Sequence, residues 1–188
     1  GSGWKNSEII PFPIFGPIHN YEAVVGVQKY SLEQHGISRY TKQNPFLIKS
    51  VHKSNIVLEQ NYDGRNIKNP KYSPKNGHPK ILNWMPYKMQ KSFQLSDEGL
   101  ICKIVLNNTS NTIMPFVIGW HPAFKVLGAV EDGEFFNDKG KSEGRLDEII
   151  GACATPPEEV YTQDTKSITY RDRKTNTGIK ISSEDFTD

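Results

Sequence analysis

The chain has 188 residues, with 23 Lys and Arg against 21 Asp and Glu, a formal net charge of +2 and two cysteines. This length predicts one domain with a substantial hydrophobic core. The nearly balanced charge argues against a nucleic-acid binder, because no Lys/Arg block could neutralise a row of phosphates. No apolar stretch is long enough to span a bilayer, and no secretory signal is recognisable. With so few cysteines, these features predict a cytoplasmic protein that needs no membrane.

Strand patterns recur along the chain, whereas helical periodicity is scarce. A period-two alternation predicts a strand over residues 56–61, and a second over residues 87–95 whose phase is broken only by Lys91. Gly99, in the loop that follows, is free to take a positive φ, which favours a hairpin. The returning strand, over residues 100–106, alternates apolar and polar side chains. These patterns predict an antiparallel meander.

A third strand of this meander is expected over residues 113–120, and residues 167–170 and 179–182 predict a separate hairpin. The polar segments 61–80 and 131–144 are predicted to be loops or strand connections. Many short strands joined by long loops are typical of an all-β sandwich or barrel.

The five histidines, whose spacing forms no metal signature, are His19, His35, His52, His78 and His121. Two of them have a distinctive context. His35 is followed by a glycine and, four positions on, by Arg39; His121 comes directly after an apolar segment and Trp120. We expect the other three to be ordinary surface or hydrogen-bonded histidines. No serine-hydrolase elbow and no phosphate-binding glycine loop is present, so these two classes are set aside.

Aromatic residues lie near prolines and glycines rather than evenly along the strands. These aromatic residues are Trp4, Phe12, Phe15, Trp84, Trp120 and Phe124. Aromatic rings with a few polar groups suit a sugar, because the C–H faces of the sugar stack and its hydroxyls need hydrogen-bond partners. The alternative is that the rings fill the core, as most aromatic residues do.

Three segments carry a family resemblance. They are residues 11–17 (Pro-Phe-Pro-Ile-Phe-Gly-Pro), residues 34–39 (Gln-His-Gly-Ile-Ser-Arg) and residues 114–124 (Met-Pro-Phe-Val-Ile-Gly-Trp-His-Pro-Ala-Phe). In order and spacing they resemble the galactose mutarotase-like superfamily, which contains the aldose 1-epimerases and the hexose-6-phosphate mutarotases. The third segment, which ends in Gly-x-His-Pro-x-Phe, is the most specific of the three.

This resemblance implies a β-supersandwich of mostly antiparallel strands with a sugar pocket, and an isomerase that interconverts the α and β anomers of a hexose or hexose phosphate. His121 would be the general acid that protonates the ring oxygen. His35, also catalytic, would hold the ring oxygen and hydroxyls together with Arg39. Trp120 and Phe15 would bind the substrate. Opening a hemiacetal needs one proton removed at O1 and one delivered at O5, so neither metal nor cofactor is required.

The sequence also departs from the family pattern, because the family's glutamate base lies further downstream than this sequence reaches. Glu158, Glu159 and Glu184 do not stand in the base motif. We therefore expect residues 1–188 to be a single mutarotase-like domain that is incomplete relative to the family. The oligomeric state is left open.

Two alternatives to a hexose isomerase remain. One is a non-catalytic carbohydrate-binding protein on the same fold, which would keep the pocket without a base. The other is a phosphosugar substrate, which would need a second cation beside Arg39. Lys5 and Lys42 are the candidates for that cation.

Overall fold

The computed structural model describes residues 8–122, 124, 128–140, 142–145 and 166–183. The chain divides into two compact units, Gly1–Ala123 and Phe124–Asp188, and each is described by itself. The prediction of a single domain stays a prediction. In the described ranges, no helix is long and apolar enough to cross a membrane.

The strands of the first unit pair antiparallel. They are β1 (Glu8–Ile9), β2 (Glu22–Val25), β3 (Gln28–Ser31), β4 (Leu47–His52), β5 (Asn55–Tyr62), β6 (Ile67–Lys68), β7 (Ile81–Leu82), β8 (Tyr87–Ser96), β9 (Gly99–Asn108) and β10 (His121–Pro122). Four of them form a sheet in the order β4-β5-β8-β9, and the pairs β1-β10, β2-β3 and β6-β7 form smaller sheets. A short 3-10 turn, His19–Tyr21, precedes β2.

The strands expected around residues 56–61, 87–95 and 100–106 are confirmed as β5, β8 and β9. Gly99 begins β9 with a φ of +146°, as the predicted hairpin requires. Lys91, which breaks the apolar phase of β8, has a side chain only 12% exposed that forms an ion pair with Glu8 at 2.8 Å. Its ammonium also lies 4.9 Å from the ring centre of Phe46. The paired lysine thus occupies an inward position of the strand.

The prediction of a third meander strand over residues 113–120 is wrong. This segment does not continue the four-stranded sheet, in which β9 is an edge. It runs instead beside the first motif: Val117 donates its N–H to the carbonyl of Pro13 at 2.7 Å, and Gly119 donates to that of Pro11 at 3.1 Å. The prolines have no N–H with which to return a bond, so a regular ladder cannot form there. Regular pairing begins where the prolines end, with Ile9 opposite His121.

The core of the first unit lies between the four-stranded sheet and the motif segments. Phe12, Ile37 and Met89 are fully buried, and the ring of Phe12 meets that of Tyr87 edge-on at 4.7 Å. Two of these residues, Phe12 and Ile37, belong to the first and second motifs. The hydrophobic core therefore fixes the backbone from which the site residues project.

The second unit contains the strands β11 (Gly133–Asn137), β12 (Ser142–Arg145), β13 (Ser167–Asp172) and β14 (Thr177–Ser182). They form one antiparallel sheet in the order β12-β11-β13-β14, preceded by the 3-10 turn Val130–Asp132. The hairpin expected after residue 166 is confirmed as β13 and β14.

The prediction that residues 131–144 form a loop is wrong, because β11 and β12 lie there. In β11, Phe135 pairs with Tyr170 of β13, and their ring centres are 5.4 Å apart. Aromatic pairs across strands stabilise a sheet even where the flanking residues are polar. Apart from the two 3-10 turns, the regular elements in the described ranges are strands, so the all-β fold class is confirmed.

Candidate functional site

The structure brings the three motif segments side by side, with the first motif in the middle. On one side it accepts the hydrogen bonds from Val117 and Gly119 of the third motif. On the other side Phe12 donates its N–H to the carbonyl of His35 at 3.2 Å, and Ile37 donates to the carbonyl of Phe12 at 2.8 Å. The three segments that carry the resemblance are thus neighbours in space.

The second motif makes a tight turn at His35 and Gly36. Both residues have left-handed backbone angles, with φ values of +66° and +71°. A Cβ atom at Gly36 would lie 2.0 Å from the carbonyl oxygen of Phe12. Glycine is therefore needed at this position both for its backbone angles and for the close approach of the first motif.

Strand β5 is hydrogen-bonded to the same segment through Gln60, which is fully buried. Its side-chain amide donates to the carbonyl of Ser38 at 3.0 Å and to that of Asn44 at 2.6 Å. Its side-chain oxygen accepts the hydroxyl of Tyr87 at 2.8 Å. These bonds tie the second motif to two central strands of the sheet, so the site rests on a rigid support.

His35 is 7% exposed, and its Nδ1 atom accepts the backbone N–H of Gly16 at 3.3 Å. Burial lowers the pKa of His35, and the charges of Arg39, His121 and Lys71 lower it further. The neutral imidazole that results must carry its proton on Nε2, because Nδ1 is used as an acceptor. His35 can therefore donate a hydrogen bond from Nε2.

Phe15, His35 and His121 form a cluster of three rings. The ring centres of the two histidines are 6.1 Å apart. Phe15 lies 5.4 Å from His35, edge-on, and 6.5 Å from His121, nearly parallel to it. The phenylalanine ring is 52% exposed, so an apolar surface stands beside two imidazoles, which is the combination that a sugar ring needs.

Gly119 gives the Phe15 ring its place. A Cβ atom at Gly119 would lie 2.8 Å from Cδ2 of Phe15, a separation that real Cβ atoms do not show. The glycine of the Gly-x-His-Pro-x-Phe segment thus leaves room for the aromatic ring of the first motif.

The other two predicted site residues, Arg39 and Trp120, differ in their surroundings. The Arg39 guanidinium donates to the carbonyl of Gln34 at 3.3 Å, and its charge acts on His35. Trp120 is half-buried and packs against the hydrophobic core. Arg39 therefore lies near His35. Trp120 packs as a core residue does, and the role of Trp120 in substrate binding stays a prediction.

Sequence reasoning missed a buried carboxylate next to the site. Glu33, 1% exposed, accepts a hydrogen bond from the side-chain amide of Asn69 at 2.8 Å. It lies 2.5 Å from Nδ1 of His78 and 3.6 Å from Nζ of Lys71. We call these four residues the Glu33 cluster. The only sequence signal was a glutamate immediately before the Gln-His-Gly segment.

Trp4, an aromatic residue near glycine, and Lys5, a candidate cation, lie outside the described residues, and so do Glu158, Glu159 and Glu184. Lys42, the other candidate for a second cation, is exposed. Within the ranges that are described, no group of three or more His, Cys, Asp or Glu side chains is arranged to hold a metal ion.

Comparison with known proteins bears on the fold. No protein-family model and no curated protein matches the sequence. Three solved structures are similar. A galactose mutarotase-like protein from Lactobacillus casei ATCC 334 is 23% identical with a TM-score of 0.52, over 70% of this chain and 40% of that one. The Slr1438 protein from Synechocystis sp. PCC 6803 is 20% identical with a TM-score of 0.54, over 93% and 58%.

The third structure is a galactose mutarotase related enzyme from Lactobacillus acidophilus. It is 17% identical with a TM-score of 0.61, over 96% of this chain and 67% of that one. The chain thus spans between about two fifths and two thirds of the length of these proteins. Likeness at such low identity concerns the fold. The resemblance stated from the motifs is confirmed at that level: this chain has the β-sandwich fold of the galactose mutarotase-like proteins.

Proposed function

We propose that this chain carries the sugar site of an aldose 1-epimerase-like isomerase, which interconverts the α and β anomers of a hexose. The observation that supports it is the cluster of His35, His121 and the exposed ring of Phe15, built from the three motif segments. In this proposal the sugar stacks on Phe15. His121 delivers a proton to the ring oxygen, and His35 donates a hydrogen bond from Nε2, with Arg39 beside it.

The chemistry requires no change of oxidation state. Loss of the O1 proton and protonation of O5 break the C1–O5 bond of the hemiacetal, and rotation about C1–C2 followed by the reverse transfers closes the other anomer. A positioned acid contributes roughly a hundredfold or more to such a step. A cytoplasmic location and the absence of a cofactor stay predictions.

A second candidate, a non-catalytic carbohydrate-binding protein, is favoured by the state of Glu33. This carboxylate lies two residues before His35, but it is buried and its oxygens already face Asn69, His78 and Lys71. It is therefore unsuited to remove the O1 proton. A site with its acid and its stacking ring but no base would bind sugars without interconverting them.

A phosphosugar is the alternative substrate, and the charges around His35 support it. The charges of Arg39 and Lys71 both lower the pKa of this histidine, which makes Lys71 a candidate for the second cation beside Lys5 and Lys42. Two cations near one site suit a phosphate group.

Polarimetry on freshly dissolved α-glucose, α-galactose and α-glucose 6-phosphate tests these candidates together. The proposal predicts mutarotation faster than buffer with at least one sugar, and a loss of that acceleration in His121→Ala. Saturable binding by calorimetry without any acceleration would select the binding protein. If none of the three sugars shows either binding or acceleration, the proposed site is rejected.

A further inference from the structure

We propose that Glu33 is a positioning residue of this site, whose carboxylate attaches the loop of residues 69–80 to the His35 turn and holds the Lys71 ammonium, 3.6 Å away, close to that turn. The position of Lys71 would then depend on one buried group that never touches the sugar. The coupling of Glu33, Lys71 and His35 does not depend on the proposed function. Only its consequence, the charge that a bound substrate would meet, rests on that function.

The first step is the attachment of Glu33 to the turn. Glu33 immediately precedes Gln34 and His35, and its backbone carbonyl accepts the N–H of Gly36 at 2.8 Å. The side chain cannot move freely, because it is buried and bonded to Asn69 and His78. The Glu33 carboxylate is therefore held in a fixed position relative to the backbone of His35.

The second step is the attachment of the loop. Asn69 donates through the same side-chain nitrogen to Glu33 and to the carbonyl of Pro79, both at 2.8 Å. Its backbone N–H donates to the carbonyl of Lys80 at 3.1 Å, and its side-chain oxygen accepts the N–H of Lys71 at 2.9 Å. Asn69 thus joins the two ends of the loop, orients the backbone of Lys71 and donates a hydrogen bond to Glu33.

His78, near the other end of the loop, is the second loop residue that bonds to the Glu33 carboxylate. Its ring contacts Glu33 and also lies 5.0 Å from the ring of Tyr21. Burial raises the pKa of Glu33, but the hydrogen bonds from Asn69 and His78 and the charges of His78 and Lys71 outweigh it, so this pKa lies below its ordinary value. Glu33 is accordingly an anion at neutral pH, and it partners two basic side chains.

The third step is the charge balance at His35. The groups that act on this imidazole are Arg39, His121 and Lys71, and the groups that face Glu33 are His78, Lys71 and the phenol of Tyr40. Lys71 is common to both sets. The side chain of Lys71 is 37% exposed, so its ammonium would be free to turn into solvent if the Glu33 carboxylate did not attract it.

NMR titration of the His35 ring in a double-mutant cycle tests the proposal without any sugar. Lys71→Met removes the charge, and we expect it to raise the pKa of His35. In a Glu33→Gln background Lys71 is no longer held, so the same substitution is expected to shift this pKa by less than half as much. If Glu33→Gln does not fold, Glu33→Asp takes its place in the cycle, because the shorter side chain keeps the charge but moves the carboxylate away from Lys71.

Two controls separate positioning from general stability. Lys75→Met, an exposed lysine of the same loop, should leave the pKa of His35 unchanged. Glu59→Gln removes another buried carboxylate with lysine partners, Lys49 and Lys88, in the four-stranded sheet, and should leave the effect of Lys71→Met intact. The proposal is overturned if Lys71→Met does not move the pKa of His35, or moves it equally in both backgrounds. Failure of the sugar assays alone would overturn the proposed function but not this coupling.

Discussion

The Nδ1 atom of His35 accepts the backbone N–H of Gly16 at 3.3 Å, and the backbone N–H of His35 donates to the carbonyl of Gly16 at 3.1 Å. This reciprocal pair joins the first two motifs and fixes the neutral imidazole with its proton on Nε2. A protonated ring would have to give up the bond from Gly16, since both of its nitrogens are then donors.

Stability should therefore fall in mild acid because of His35. Its pKa is below the ordinary value in the folded chain, so the unfolded chain takes up the proton more readily. The corresponding stabilisation is present above about pH 6.5 and is lost as the pH falls through the folded pKa. We expect the free energy of unfolding, measured with urea between pH 7.5 and 5, to decline less in His35→Asn than in the parent chain. Equal declines would contradict the assignment.

Gly36→Ala should destabilise the chain far more than Gly26→Ala. Both glycines have positive φ, +71° and +61°, but a Cβ at Gly36 meets the carbonyl of Phe12 whereas one at Gly26 meets nothing within 4 Å. We expect a loss of about 3 kcal/mol or more at Gly36 against about 1–2 kcal/mol at Gly26. Urea denaturation measures both, and similar losses would show that the first motif does not pack on this turn.

Sugar binding should depend on Phe15 and not on Phe116. The two rings are almost equally exposed, at 52% and 50%, but Phe116 lies beside Phe12 rather than beside the histidines. Phe15→Leu should weaken the binding of methyl β-galactoside about 3- to 10-fold by calorimetry, and Phe116→Leu should not. Gly119→Ala should resemble Phe15→Leu, because it displaces the same ring. A loss confined to Phe116→Leu would move the site elsewhere.

Glu59 should contribute to stability at neutral pH and cease to do so in acid. Hydrogen bonds from Gln90, Lys88 and Asn61 lower the pKa of Glu59 to about 2. Because this pKa is depressed on folding, the stabilisation is complete above about pH 4.5 and is lost as the pH falls towards 2. The unfolding midpoint of Glu59→Gln should be lower at pH 7 and depend less on pH between 5 and 2.5. A parallel pH dependence in both chains would exclude Glu59 as the titrating group.

Local patterns predicted the strands that have their own alternation, but not pairings decided by distant residues. Strands β5, β8 and β9 follow from period two, and the exception at Lys91 is explained by a partner, Glu8, 83 positions away. The extended segment before His121 looked like a further strand of the meander. Its actual partner is rich in proline, and only the fold shows which strand lies beside it.

The candidate site follows the same rule. His35, His121 and Phe15 could be nominated from motifs, and the structure brings them together. Glu33, Lys71 and His78 could not be nominated, because a glutamate, a lysine and a histidine separated by up to 45 positions form no sequence pattern. Phe135 and Phe136 were missed in β11 because the surrounding residues are polar and contain glycine.

The central claim is that His121 transfers a proton to a sugar held at this site. Magnetisation-transfer NMR on equilibrated glucose and galactose measures the exchange between anomers directly, with the parent chain, His121→Ala and His52→Ala compared at equal concentration. His52 is an exposed histidine of β4 and serves as the matched control. If His121 is this proton donor, we expect exchange above the buffer rate for the parent and the His52 variant, and a decrease of roughly a hundredfold or more in the accelerated rate for His121→Ala. Exchange at the buffer rate in all three, or equal acceleration in all three, would contradict it.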